Sequence, residues 1–137
     1  ELVIIGGDLV GLELAEFLTE RGKKITVVEP SNDLGPNLSI VRRSRVIHLL
    51  KSHGVKIIKN AKDIKISNSD VNFELDGTSQ SVIANQVIIA MGTESNTEFA
   101  DELKENNFNV SMVGDCTSVG YIEGAISDAR IAVKEIA

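Results

Sequence analysis

Cysteine is almost missing from this chain: its 137 residues hold one, Cys116. No internal disulfide can form, and no cluster of thiolates is there to hold a metal. Such sparing use of cysteine points to a reducing cytoplasm. Tryptophan is absent, aromatic residues make up 4%, and there are 2 histidines. His48 and His53 lie close together, but no Cys or acidic residue completes a zinc set beside them. They read as two surface histidines on a helix, and no metal site is expected. A basic excess is missing too. With 14 Lys and Arg against 20 Asp and Glu the net charge is −6, which argues against a nucleic-acid or anionic-membrane partner, since both attract a basic face. No apolar run nears the roughly 20 residues that span a bilayer.

What is present is an ordinary globular composition, 42% hydrophobic and 25% charged, in a chain long enough to bury a core. It opens on Glu1 and enters a strand at once, which reads as a piece of a longer protein. Leu2 to Ile5 is a continuous apolar run, as in a strand buried on both faces. Val10, Leu14, Phe17 and Leu18 then fall at helical spacing, with Glu13, Glu16 and Glu20 on another face and Gly22 as the stop. Ile25 to Glu29 is a second buried strand, so residues 1–30 predict a βαβ unit with parallel strands.

A loop over Pro30–Asn37 precedes a helix from about Leu38 to His53, basic near its middle at Arg42, Arg43 and Arg45. That charged face reads as solvated. Val55 to Ile58 is a third strand. Residues 62–66 and Val71, Phe73 and Leu75 then alternate, and Asp76-Gly77 is a strong hairpin signal before a strand near Ser81 to Ala84. These predict a small antiparallel meander, with Val87 to Ala90 returning to the main sheet. Beyond Gly92 come a helical stretch from Glu98 to Lys104, a strand over Val110–Val113, and a closing helix from about Ile122 to Ile136. The fold class is therefore α/β: a Rossmann-like, three-layer domain with a central parallel sheet and an added antiparallel meander.

Gly6 and Gly11 keep the first and third places of the dinucleotide fingerprint G-x-G-x-x-G. The first lets the chain turn sharply out of the strand, and the third lets the helix pack against the sheet. At the second place, where the backbone usually approaches a pyrophosphate without a Cβ in the way, stands Asp8. A lone glycine fingerprint is weak, but here a strand precedes it, a helix follows, and Glu29 ends the second strand. An acidic residue about 20 positions past the glycines is placed to accept hydrogen bonds from an adenine ribose. It would also repel the 2′-phosphate of NADP, so NADH is the preferred ligand over NADPH. Asp8 leaves two outcomes open: the carboxylate swings out to solvent and the site is weakened, or the pocket loses useful affinity.

Gly6-Gly7-Asp8-Leu9-Val10-Gly11-Leu12-Glu13-Leu14-Ala15 and then Gly22-Lys23-Lys24-Ile25-Thr26-Val27-Val28-Glu29 resemble the nucleotide domain of pyridine-nucleotide-dependent flavoprotein reductases. Ile88-Ile89-Ala90-Met91-Gly92 is similar to that family's exit motif, and Val113-Gly114-Asp115-Cys116 with Tyr121-Ile122-Glu123-Gly124-Ala125-Ile126 to its flavin-domain closing segment. Within the family the chain resembles the branch with 2,4-dienoyl-CoA reductase, trimethylamine dehydrogenase and NADH:flavin oxidoreductase. There a barrel with FMN and a [4Fe–4S] cluster precedes the nucleotide domains, and the NAD(P)H domain is inserted in the FAD domain.

The resemblance implies that residues 1–92 are the NAD(H)-binding domain and 93–137 a C-terminal segment of the parent's FAD domain. It places Gly6, Gly7, Asp8, Leu9 and Gly11 at the pyrophosphate, Glu29 at the adenosine ribose and Glu13 near the nicotinamide. Gly92 lies beside the cofactor at the hinge, and Gly114 and Asp115 belong to the flavin site, with Asp115 on the ribitol. FAD is expected in the full-length parent and not in this piece, whose partners are the dinucleotide and the remaining FAD domain and barrel. A homodimer stays open. No catalytic residue is expected, because flavin and nicotinamide carry the hydride. Cys116 lacks a C-x-x-C partner and reads as a small buried residue, and Asp115 could equally cap the turn before the last helix. The rival reading is a Rossmann-like domain that has lost its dinucleotide through Asp8 and serves as an interaction module. A short-chain dehydrogenase is excluded, because the only tyrosine, Tyr121, is followed four residues on by Ala125 and not by lysine.

Overall fold

A strand with no polar interruption has no face to offer water. β1 (Leu2–Ile5) is such a strand, and all of its residues are buried. In the computed structural model, which describes residues 1–136, β1 leads through a glycine turn into α1 (Leu9–Thr19). Next come β2 (Ile25–Val28), α2 (Ile40–Ser52) and β3 (Lys56–Ile58). β4 (Lys62–Ile66), β5 (Asp70–Leu75), β6 (Thr78–Ile83) and β7 (Gln86–Ile89) complete the first of two units, Glu1–Gly92 and Thr93–Ala137.

The main sheet has the order β3-β2-β1-β7, and every pairing in it is parallel. Ile5 is level with Val28 on one side and with Ile89 on the other, so three strands end together. Leu2 and Ile4 pack with Leu12 and Ala15 of α1, Ile25 and Val27 of β2, and Val46 and Leu50 of α2. Val3 and Ile5 point the opposite way, onto a cluster with Val28, Ile58, Ala61 and the β5 residues Val71 and Phe73. β4, β5 and β6 form a separate antiparallel sheet. The first unit thus has three layers, helices, parallel sheet and meander, in the Rossmann-like arrangement the sequence predicts. Asp76 and Gly77 join β5 to β6 with φ of 50° and 76°, the two positive values of a type I′ turn.

Two expectations are corrected. The buried face of α1 is Gly11, Leu12 and Ala15, with Leu14 and Leu18 packed beside them. Val10 and Phe17, expected inside, are 62% and 49% exposed. Gly11 sets this rotation: it has to meet the backbone of the glycine turn, which carries positions 12 and 15 inward and Phe17 out. Phe17 instead lies under the Arg21 guanidinium, 3.4 Å from its ring centroid. The second correction lies in the second unit, which contains α3 (Glu98–Glu105) and α4 (Tyr121–Ile136). Val110–Val113 forms no strand there. An extended segment needs a neighbour to take its N–H and C=O groups, and this unit holds no strand among its described residues.

Candidate functional site

The glycine turn brings three chain segments close together. Gly6 has φ of +109°, and a Cβ there would run into the Ala90 carbonyl; a Cβ on Gly11 would run into the Gly6 carbonyl. Gly6 N–H donates to Val28 O at 2.9 Å, and Ala90 N–H donates to Ile5 O at 2.7 Å. The first turn of α1 is therefore pressed onto the ends of β1 and β7. Leu12 is the first residue of the helix whose N–H is taken, by Asp8 O at 2.9 Å. Among the described residues no acceptor takes the N–H of Leu9, Val10 or Gly11. Unpaired amides and the helix dipole together make this edge attractive to an anion.

Glu29, just past β2, faces this turn. Its Oε2 accepts the Gly7 N–H at 2.6 Å and its Oε1 accepts the Ser31 N–H at 2.8 Å. A carboxylate has about four lone-pair sites, so the group is held in place with acceptor capacity to spare. A Cβ on Gly7 would come 3.3 Å from Glu29 Oε2 and 2.5 Å from Leu34 Cδ2. A side chain at position 7 would therefore have to displace the buried Leu34 methyl and crowd Glu29.

Asp8 is the N-cap of α1 but makes no side-chain capping bond. Its Oδ2 accepts a hydrogen bond from Asn37 Nδ2 at 2.8 Å, and its buried Oδ1 has no partner. The carboxylate thus turns to the loop after β2 instead of swinging out to solvent. That loop is anchored on the glycine turn by Gly35 N–H donating to Gly7 O at 2.7 Å and by the buried Leu34. Asn37 and Leu34 have no signature in the sequence, where 30–37 shows only turn-forming composition.

The structure brings Gly6, Gly7, Asp8, Leu9, Gly11 and Glu29 to one edge. Glu13 lies further along α1, exposed, with Arg42 at 3.8 Å; Arg42 also reaches Glu16 at 3.2 Å, and Arg43 reaches Asp33 at 3.3 Å. Arg42 and Arg43, read as merely solvated, therefore pair with α1 and with the loop after β2. Gly92 ends the first unit with φ of +95° and is exposed.

In the second unit Gly114 is buried, with φ of +85°, and donates its N–H to Asp128 Oδ2 at 3.2 Å. Asp128, fourteen residues on, was invisible to motif reading. Asp115 is exposed, and its Oδ1 accepts the Gly120 N–H at 3.0 Å, just before α4. Cys116 is half-buried rather than buried, and its Sγ lies 3.6 Å from Val113 O. The small side chain sits at a turn exposed on one side, which explains the partial burial.

Comparison with known proteins gives a consistent answer. The family model described as pyridine nucleotide-disulphide oxidoreductase matches residues 1–135. Dihydrolipoyl dehydrogenase of Acholeplasma laidlawii is 24% identical over 143 residues, covering 98% of this chain and 43% of that protein. Bilirubin reductase of Mediterraneibacter gnavus is 30% identical over 134 residues, covering 97% of this chain and 21% of that one. The solved structure of 2-naphthoyl-CoA reductase with 2-naphthoyl-CoA has a TM-score of 0.84 at 25% identity, covering 93% of this chain and 20% of its own. The chain spans 43% or less of the length of these proteins.

Proposed function

The chain belongs to the pyridine nucleotide-disulphide oxidoreductase family, and on that footing we propose that residues 1–92 bind NADH on behalf of an FAD-dependent oxidoreductase. The observation that carries this reading is the shared edge at the end of the parallel sheet. Free amides of Leu9, Val10 and Gly11 stand beside a carboxylate, Glu29, that is already fixed by two backbone donors. A pyrophosphate suits the first group and ribose hydroxyls suit the second. The Glu29 charge disfavours the 2′-phosphate of NADPH. Arg43 is engaged by Asp33, and Lys59 by the Asn32 carbonyls.

Residues 93–137 belong, on this reading, to the FAD domain of the parent, with Gly114 and Asp115 on the flavin side. The exposed apolar residues Ile122, Ile126 and Val133 of α4 fit a segment that the rest of that domain covers. The likeness to bilirubin reductase and 2-naphthoyl-CoA reductase supports reading the parent as a member of the dienoyl-CoA-reductase-like branch. When bound, nicotinamide and flavin supply the hydride chemistry. The residues of this chain bind and orient. We place the parent in the cytoplasm.

Calorimetric titration tests the reading. The 137-residue chain should bind NADH, and NADPH at least about tenfold more weakly, a difference near 1.4 kcal/mol. No heat with millimolar NADH from either the wild type or Asp8→Gly overturns it. The second reading, a fold kept without its ligand, is favoured by the carboxylate at position 8 and predicts that NADH leaves Tm unchanged. A binding chain at 100 times Kd gains about 2.7 kcal/mol.

A further inference from the structure

We propose that Asn37 is a positioning residue: it holds the Asp8 carboxylate off the amide groups at the start of α1 and so keeps them free for an anion. This rests on the dinucleotide reading above. The starting point is a bond that is not made. Aspartate is among the strongest N-cap residues because its oxygen ordinarily accepts the second or third amide of the helix. At α1 those amides belong to Val10 and Gly11, both are without an acceptor among the described residues, and Asp8 still does not take them. Its Oδ2 goes to Asn37 Nδ2 at 2.8 Å, and Oδ1 is left buried and unpaired. Two groups that would satisfy each other stand side by side unsatisfied, and Asn37 is the group that separates them.

Asn37 does not owe its place to Asp8. Leu34 is 5% exposed within the helical-side core, Leu38 packs against the same cluster, and Gly35 N–H is bonded to Gly7 O at 2.7 Å. The amide is thus delivered by a loop fastened on both sides of it. Remove it, and rotation about the Asp8 side chain lets the carboxylate cap the helix. The chain's own anion then occupies the amides a pyrophosphate needs. Asn37 is in this way the compensation for an aspartate where the fingerprint has glycine.

The test is a double-mutant cycle read by NADH calorimetry on the 137-residue chain, with amide hydrogen exchange on the ligand-free protein. Asn37→Ala should raise the NADH Kd about tenfold, the worth of one capping interaction, while the same change in an Asp8→Gly background should leave Kd where Asp8→Gly alone puts it. Exchange at Val10 and Gly11 should slow in Asn37→Ala. Equal weakening in both backgrounds, or an unchanged Kd in the single variant, overturns the positioning role. If neither the wild type nor Asp8→Gly binds NADH, the dinucleotide reading fails, and exchange decides alone: slowing upholds the hold on Asp8, and no change overturns it.

Discussion

Asp8 and Glu29 carry the same charge and stand at the same edge, yet their consequences are opposite. A carboxylate about 4 Å from a phosphate charge costs on the order of 4 kcal/mol at an effective dielectric near 20. Asp8 is drawn toward Asn37, so Asp8→Gly should recover only part of that: a roughly ten- to hundredfold lower NADH Kd by calorimetry. Glu29 is satisfied by Gly7 and Ser31, and Glu29→Ala strands the buried Gly7 amide, while the exposed Ser31 amide turns to water. We expect a loss of about 1–3 kcal/mol in urea unfolding, together with loss of the preference for NADH over NADPH that the proposed function assigns to this carboxylate. Preference lost without destabilisation would show that the two backbone bonds contribute nothing to stability.

At the scale of elements, α1 owes its seat to the contact between Gly11 and the Gly6 carbonyl. A methyl group there meets backbone, which cannot rotate away. Gly11→Ala should therefore destabilise the first unit by about 3 kcal/mol, visible as a lower urea midpoint with an unchanged slope. α3 offers a pH test. Hydrogen bonding to Thr97, then Lys104, holds the Asp101 carboxyl below its ordinary value. A lowered carboxyl stabilises the fold above the unfolded-state pKa, and that contribution is lost as pH falls through the folded value. The α3 amide signals should lose protection on acidification, and less so in Asp101→Asn. Of these elements the helix at 98–105 and the strands of the meander were legible, because spacing and the Asp-Gly turn are local signals. The rotation of α1 was not, since Val10 and Phe17 fit a helical stripe as well as Leu12 and Ala15 do; the choice is made by the contact of Gly11 with the Gly6 carbonyl, which no apolar pattern encodes.

Over the whole molecule the two units differ in what they bury. The first has two apolar clusters, one on each side of the parallel sheet. In the second, Gly114 alone is buried among the described residues, and Ile122 and Val133 of α4 are 81% and 65% exposed. Local stability follows buried apolar contact. Native-state hydrogen exchange should find the β1 and β2 amides protected to the level of global unfolding and those of α3 and α4 exchanging far faster. Equal protection in both units would contradict the division.

The residues by themselves determined the class of fold, the parallel core and the glycine turn. Strand period, apolar continuity and glycine position are properties of neighbours in the chain, and the spacing of Gly6, Gly11 and Glu29 was enough to expect them at one edge of the sheet, where the structure has them. Only tertiary structure decided what Asp8 does. Its partner, Asn37, is 29 residues away, delivered by a loop whose path depends on where Leu34 finds the core. It also decided that Val110–Val113 is not a strand, because a strand is a relation between two segments and the described residues of this unit offer no second one to pair with.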